Sequence, residues 1–277
     1  MREISVLVPV GDAELAADRL WGAGAQAVEE LAVDDSCVEL RTILGSDDAV
    51  ARERLGDVPR SWQVGFVDVD DAPAETWREF AEPIRVGDRL EIRPAWLTET
   101  PRPGVLSIPI EPAGSFGLGD HPTTRLSAAA VDRLTVHGAR VLDVGCGSGV
   151  LAILAAHRGA QHVVAIDVSD AAREATVANA AENGVLERID ASTTPVGAVT
   201  GAFDLVVVNI LAPVLVAMAA DLIRLTARGG HLVISGILTG GYDHVVDALA
   251  PMRVVTVEHL DGWSAVVLRS QDRLDLG

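Results

Sequence analysis

The chain has 277 residues, 49% of them hydrophobic, which allows one large domain or two unequal ones. Its two cysteines, Cys37 and Cys146, exclude a disulfide framework and paired zinc ligands, and the N-terminus shows neither a signal pattern nor a membrane-length apolar run, so a soluble cytoplasmic protein is expected. Forty acidic against 22 basic residues give a net charge of -18, which repels phosphate backbones: direct nucleic-acid binding is not expected, and a basic protein partner or cationic substrate is.

Ile4, Val6 and Val8 alternate as a strand, and Asp12 reads as the cap of a helix to about Leu20 that Gly22 and Gly24 end. Two short strands over 27–33 and 37–43, a helix over 47–55 and a strand over 62–69 follow. This order of strand, helix, strand, strand, helix, strand predicts a small ferredoxin-like α+β domain over residues 1–70. An acidic, proline-ended stretch then opens a connecting segment over 71–100, with a helix over 74–81 and a strand over 90–95; a further strand is expected over 105–110.

Beyond Arg140, apolar strands at 141–144, 163–167, 205–209 and 232–235 alternate with helices at 149–157, 170–182 and 213–225, the pattern of a parallel sheet covered on both faces. A helix over 242–249 and strands over 254–259 and 264–269 close the chain. Asp261 and Gly262 leave room only for a hairpin, so the last strand should run antiparallel to an otherwise parallel sheet. The fold class expected is α/β, with the catalytic domain over 101–277.

The segment Asp143-Val144-Gly145-Cys146-Gly147-Ser148-Gly149 carries a strand into three alternate glycines and then a helix. Ligands of open parallel sheets bind at the carboxyl ends of strands, where glycine lets backbone approach closely, so Gly145 and Gly147 are read as a cofactor cradle. The pattern also satisfies the dinucleotide form GxGxxA, which keeps an NAD-linked oxidoreductase open as the alternative. Asp143 favours a sulfonium cofactor, S-adenosyl-L-methionine, because a carboxylate there repels a pyrophosphate and suits the ammonium of a methionine moiety. Asp167, at the end of the next strand, offers two acceptor oxygens to ribose hydroxyls. Asn209, at the end of the fourth strand of this sheet, can present its amide oxygen to an incoming amine.

A further cluster, Gly114-Ser115-Phe116-Gly117-Leu118-Gly119-Asp120-His121-Pro122-Thr123-Thr124-Arg125, precedes the sheet. Pro122 suits the first turn of a helix that His121 or Asp120 would cap, and the glycines suggest a loop that closes on something. His121 is the histidine placed to help catalysis.

Together, Asp143-Val-Gly-Cys-Gly-Ser-Gly, Asp167, Asn209-Ile-Leu-Ala and Phe116-Gly-Leu-Gly-Asp-His-Pro-Thr-Thr resemble the PrmA family, methyltransferases that modify amino groups of ribosomal large-subunit protein eleven. The likeness extends to Trp77, Pro83 and Gly87, to Ser235-Gly236-Ile237-Leu238 and to Trp263, with Leu118 and Asp120 standing where the family has threonines, which keeps a methyltransferase of another protein lysine or of a small amine open as a second alternative. The resemblance implies a seven-stranded Rossmann-like methyltransferase sheet and a small N-terminal domain that recognises the ribosomal protein. It also implies cofactor contacts at Thr124, Gly145, Asp167 and Asn209.

Overall fold

The computed structural model describes residues 2–25, 28–34, 36–45, 47–68, 82–97, 102–111 and 121–271. The helix expected over 74–81 and the loop from Gly114 to Asp120 lie outside the described residues. The chain divides into two compact units, Met1–Ala81 and Glu82–Gly277.

The first unit runs β1 (Arg2–Pro9), α1 (Ala13–Gly22), β2 (Glu29–Ala32), β3 (Cys37–Thr42), α2 (Asp48–Leu55) and β4 (Gln63–Asp68). Its sheet has the order β2-β3-β1-β4 with every neighbouring pair antiparallel. The alternation along β1 puts Ile4, Val6 and Val8 into one core with Leu20, Leu40, Leu55 and Trp62. Asp47 caps α2, accepting from the Ala49 and Val50 amides. Asp12 does not start α1 as a cap. It ends a 3-10 turn, and its carboxylate accepts from the Trp62 indole at 3.0 Å, because that buried N–H needs a partner more than an exposed helix end does.

The second unit opens with a three-stranded sheet: β5 (Ile84–Val86), β6 (Leu90–Pro94) and β7 (Leu106–Ile110), in that order. Val86, Leu90, Ile92, Ile108 and Ile110 are buried in the same core as the large sheet. The stretch expected to be a connector over 71–100 thus supplies two strands to this unit, and β5, only three residues long, carries too little periodicity to be seen in sequence.

There follow α3 (Pro122–Leu134), β8 (Arg140–Val144), α4 (Val150–His157), β9 (His162–Ile166), α5 (Asp170–Glu182), β10 (Ile189–Ser192), β11 (Phe203–Asn209), α6 (Ala212–Leu225), β12 (Thr226–Leu238), α7 (Asp243–Ala248), β13 (Arg253–Leu260) and β14 (Trp263–Arg269). The large sheet has the order β10-β9-β8-β11-β12-β14-β13. β8 to β12 pair in parallel, and β14 inserts antiparallel between β12 and β13. The expected antiparallel closing strand is present, and β10 is an edge strand that the sequence pattern did not reveal.

Successive strand residues serve opposite faces. Val141, Val163, Leu205, Val207 and Val233 pack under α3, α4 and α5, while Leu142, Val206, Val208, Leu232 and Ile234 pack under α6 and α7. Both faces are dry, which is why these strands read as unbroken apolar runs. Among the described residues no helix is long and apolar enough to cross a membrane.

Candidate active site

The carboxyl ends of β8, β9, β11 and β12 lie side by side, in the order their pairing dictates. β8 delivers the glycine loop. The Gly145 and Cys146 amides both donate to the Ile166 carbonyl, at 2.8 and 3.1 Å, pinning the loop to the end of β9. Gly145, Gly147 and Gly149 all have positive φ, at 75°, 54° and 82°, a region that costs glycine least. Two of these positions also make room for protein rather than ligand. A Cβ on Gly145 would stand 2.7 Å from Ile210 Cγ2, and one on Gly149 would stand 2.9 Å from the Thr176 side chain. The reading of the glycines as a cradle for close ligand approach is therefore amended: loop-to-loop packing uses part of their freedom.

Asp143 is not open at the strand end, as its expected role with an ammonium would suggest. Its side chain is buried, at 1% exposure, beneath the loop. One carboxylate oxygen, Oδ2, accepts from the Ala152 amide at 3.1 Å, which caps α4 from the preceding strand because the helix's own N-cap, Gly149, has no side chain. The other, Oδ1, has no hydrogen-bond partner among the described residues. Burial raises the Asp143 pKa to about 7, the Ala152 hydrogen bond lowers it in part, and the Asp167 charge raises it further.

Asp167 follows β9 and is half-buried. Its two oxygens accept from the Gly147 amide at 3.0 Å and from the Ser169 amide at 3.0 Å, so this carboxylate fixes the glycine loop and the start of α5 together. Each oxygen keeps lone-pair capacity for a ligand hydroxyl. Val168 beside it is 94% exposed, an apolar side chain in open solvent at the sheet's ligand end. The sequence reading passed over it, although an apolar residue next to a strand-end carboxylate was a visible signal.

It also passed over Asn179. This buried amide on α5 donates to the Glu111 carbonyl at 2.9 Å and the Ser148 carbonyl at 2.9 Å, and accepts from the Glu111 amide at 2.9 Å. Thr176 one turn earlier donates to the Gly147 carbonyl at 3.1 Å. α5 thus grips the glycine loop from behind.

Asn209 ends β11, half-buried, and pairs in register with Ser235 on β12. The next residue, Ile210, is wedged tightly: besides filling the space at Gly145, its carbonyl lies where a Cβ on Gly236 would be. The loop after β8 and strand β12 thus both meet Ile210, the first at its side chain and the second at its backbone. Ser235 is fully buried, and its hydroxyl is shared between the Ser264 carbonyl at 3.1 Å and the Thr123 carbonyl at 3.4 Å. That contact ties the first turn of α3 to the strand next to Asn209.

His121 is the N-cap of α3, as expected. Its Nδ1 lies 2.7 Å from the Thr123 hydroxyl and accepts from the Thr123 amide at 3.3 Å. The imidazole meets the Trp263 ring edge-on at 4.9 Å between centroids. Thr124 is buried at 1% exposure, and its Oγ1 has no partner among the described residues. The structure thus brings Asp143, Gly145, Gly147, Asp167 and Asn209 to one sheet edge and tethers His121 and Thr124 to it through Ser235.

These residues fit a nucleoside sulfonium. Asp167 has acceptor capacity that a ribose diol could use, Val168 is an exposed apolar side chain against which a base could lie, and two buried polar atoms, Asp143 Oδ1 and Thr124 Oγ1, have no partner among the described residues. The Asp143 carboxyl under the loop, when ionised, opposes a pyrophosphate and favours a cation.

Residues 49–271 match the family model for ribosomal protein L11 methyltransferase (PrmA). A ribosomal protein L11 methyltransferase of Geobacter sulfurreducens is 42% identical over 204 residues, covering 73% of this chain and 67% of that protein. One from Symbiobacterium thermophilum is 37% identical over 266 residues, covering 94% of this chain and 83% of that protein. The crystal structure of a ribosomal protein L11 methylase from Lactobacillus delbrueckii subsp. bulgaricus superimposes with a TM-score of 0.64 at 32% identity, over 69% of this chain and 99% of that one. The match covers the glycine loop, both flanking strand ends and the N-terminal turn of α3, so the dinucleotide alternative is set aside and the chain belongs to the ribosomal protein L11 methyltransferase (PrmA) family.

Proposed function

We propose that this chain methylates amino groups of ribosomal protein L11, on lysine side chains and at the N-terminus, with S-adenosyl-L-methionine as donor. The observation that carries the reading is the packing of Ile210, next to Asn209, against Gly145 of the glycine loop and Gly236 of β12, with the glycine loop and Asn209 on one sheet edge within the family's matched region. When bound, the cofactor supplies an electrophilic methyl group on a sulfonium. The residues that would hold it are Asp167 at the ribose, Val168 at the base, Thr124 and the backbone of Gly145 and Gly147. Asp143 acts from beneath the loop, where its orphaned oxygen favours positive charge in the cleft.

A free lysine has a pKa near 10.4 and is protonated at neutral pH, so the site must select the neutral amine and align it. Asn209 does this by accepting an N–H of the amine at its amide oxygen. His121, fixed by Thr123 and Trp263, stands at the same edge to take part in proton removal.

The first unit is read as a ferredoxin-like domain that recognises the protein substrate. Its support is the β2-β3-β1-β4 order with antiparallel neighbours. The excess of acidic residues suits a basic ribosomal protein in the cytoplasm and disfavours direct contact with nucleic acid. Purified enzyme incubated with donor and recombinant L11, read by intact mass, should add methyl groups in steps of one methylene. An L11 mass that stays unchanged while the enzyme binds the donor would overturn the choice of substrate.

A further inference from the structure

Beside Asn209 and its partner Ser235, Leu211 and Leu238 are large aliphatic side chains that stand exposed. Leu211, the N-cap of α6, is 39% exposed two residues after Asn209, and Leu238, the last residue of β12, is 57% exposed three residues after Asn209's partner Ser235. Leu238 lies opposite Trp263 in the β12–β14 pairing, and Trp263 meets His121. The packing of Gly236 against Ile210 holds the two loops in contact, so neither leucine can drift far from the other's loop. Exposed leucines cost solvation free energy, and neither is needed by the cores, whose buried residues do not include them.

We infer that Leu211 and Leu238 are two aliphatic lips that take the methylene stem of the acceptor lysine and so determine how well lysine side chains are accepted. This rests on the reading of the site given above and names what recognises the stem, where Asn209 addresses only the nitrogen. A lysine reaching Asn209 must pass four methylenes across this edge, and apolar walls cover such a stem while the reacting end lies deeper. The lips would accept any unhindered alkylamine, and the chain's own side chains offer none: all 22 of its basic side chains are arginine, and it contains no lysine. Guanidinium groups stay charged and are poor methyl acceptors at this site, so the enzyme's own surface does not compete for its lips.

The test uses the full chain loaded with S-adenosylhomocysteine and titrated with n-propylamine, n-butylamine, n-pentylamine and n-hexylamine, followed by ligand-observed NMR. In the unaltered protein, affinity should rise about two- to threefold per added methylene, the scale of partial burial of each group. In the Leu211→Ser, Leu238→Ser double variant the dependence on chain length should vanish while affinity for S-adenosylhomocysteine is unchanged, and Leu211→Met with Leu238→Met should restore it. With L11 as acceptor, the serine variant should raise KM at least tenfold and the methionine variant should not. A chain-length dependence absent from the unaltered protein, or preserved in the serine variant, would overturn the inference. If L11 is not methylated at all while the alkylamine dependence is present and serine-sensitive, the choice of L11 falls and the lips stand.

Discussion

Asp143→Asn should make the cofactor-free protein more stable, and by an amount that grows with pH. Burial pushes the Asp143 carboxyl up to about 7 in the folded chain, against 3.8 for a free side chain. An acid whose pKa is raised by folding binds its proton more tightly in the folded state. Stability is therefore undiminished below about pH 4, falls as the pH rises toward 7, and is lower by about 4 kcal/mol above it, at about 1.4 kcal/mol per pKa unit. Asparagine keeps an oxygen for the Ala152 amide, so the cap on α4 survives, and it cannot ionise. The gap between variant and wild type should widen by about 3 kcal/mol between pH 5 and pH 8. Urea unfolding of both proteins across that range measures it, since groups common to the two cancel in the difference. Affinity for S-adenosylmethionine, measured by calorimetry at pH 8, should move the other way and fall in the variant, because the charge that destabilises the empty loop is the one that favours a cation above it. A stability gap that does not change with pH would refute the reasoning about the buried charge.

Asp167→Ala should weaken S-adenosylmethionine binding by about 1 to 3 kcal/mol, and it should also loosen the glycine loop, since the Gly147 and Ser169 amides lose their acceptor; unchanged binding in calorimetry would remove Asp167 from the site. Asn179→Ala should cost about 2 to 4 kcal/mol of stability in thermal or urea unfolding, because three hydrogen bonds go and the Glu111 and Ser148 backbone groups are left without them. Asn209→Ala should depress the single-turnover methylation rate on the order of a hundredfold at saturating cofactor, the scale of a lost alignment. A rate near wild type with weaker cofactor binding alone would make Asn209 a cofactor contact only.

Much of the second unit was legible because its strands are buried on both faces. Runs such as Leu205-Val206-Val207-Val208 have no polar alternation to confuse with a helix surface, and the glycine loop punctuates them. What escaped was short or depended on distant partners. β5 and β10 span three and four residues, too few for a period to declare itself. The orientation of Asp12 was misjudged because its partner, Trp62, is fifty positions away. Asn179 looks in sequence like an ordinary polar residue on an amphipathic helix, and only the approach of Ser148 and Glu111 makes it a strut. Residues expected to touch ligand were visible through their place at strand ends; those that hold the ligand loops in place were not, since nothing local marks them.

The glycines show why a motif can be recognised correctly and still be explained incompletely. A glycine at a strand end is compatible with a ligand, with a positive φ, or with a neighbouring side chain that leaves no space for a Cβ, and the sequence cannot separate these. Here Gly145 and Gly236 both yield to Ile210, and Gly149 yields to Thr176. Ile210 belongs to the Asn209-Ile-Leu-Ala segment, so that segment and the glycine loop are two halves of one packed joint. A side chain at Gly236 would displace the Ile210 backbone, and with it Asn209 one residue earlier, without touching the cofactor. Coupling of this kind makes the position of the acceptor amide depend on a glycine in the loop after β8 and another within β12.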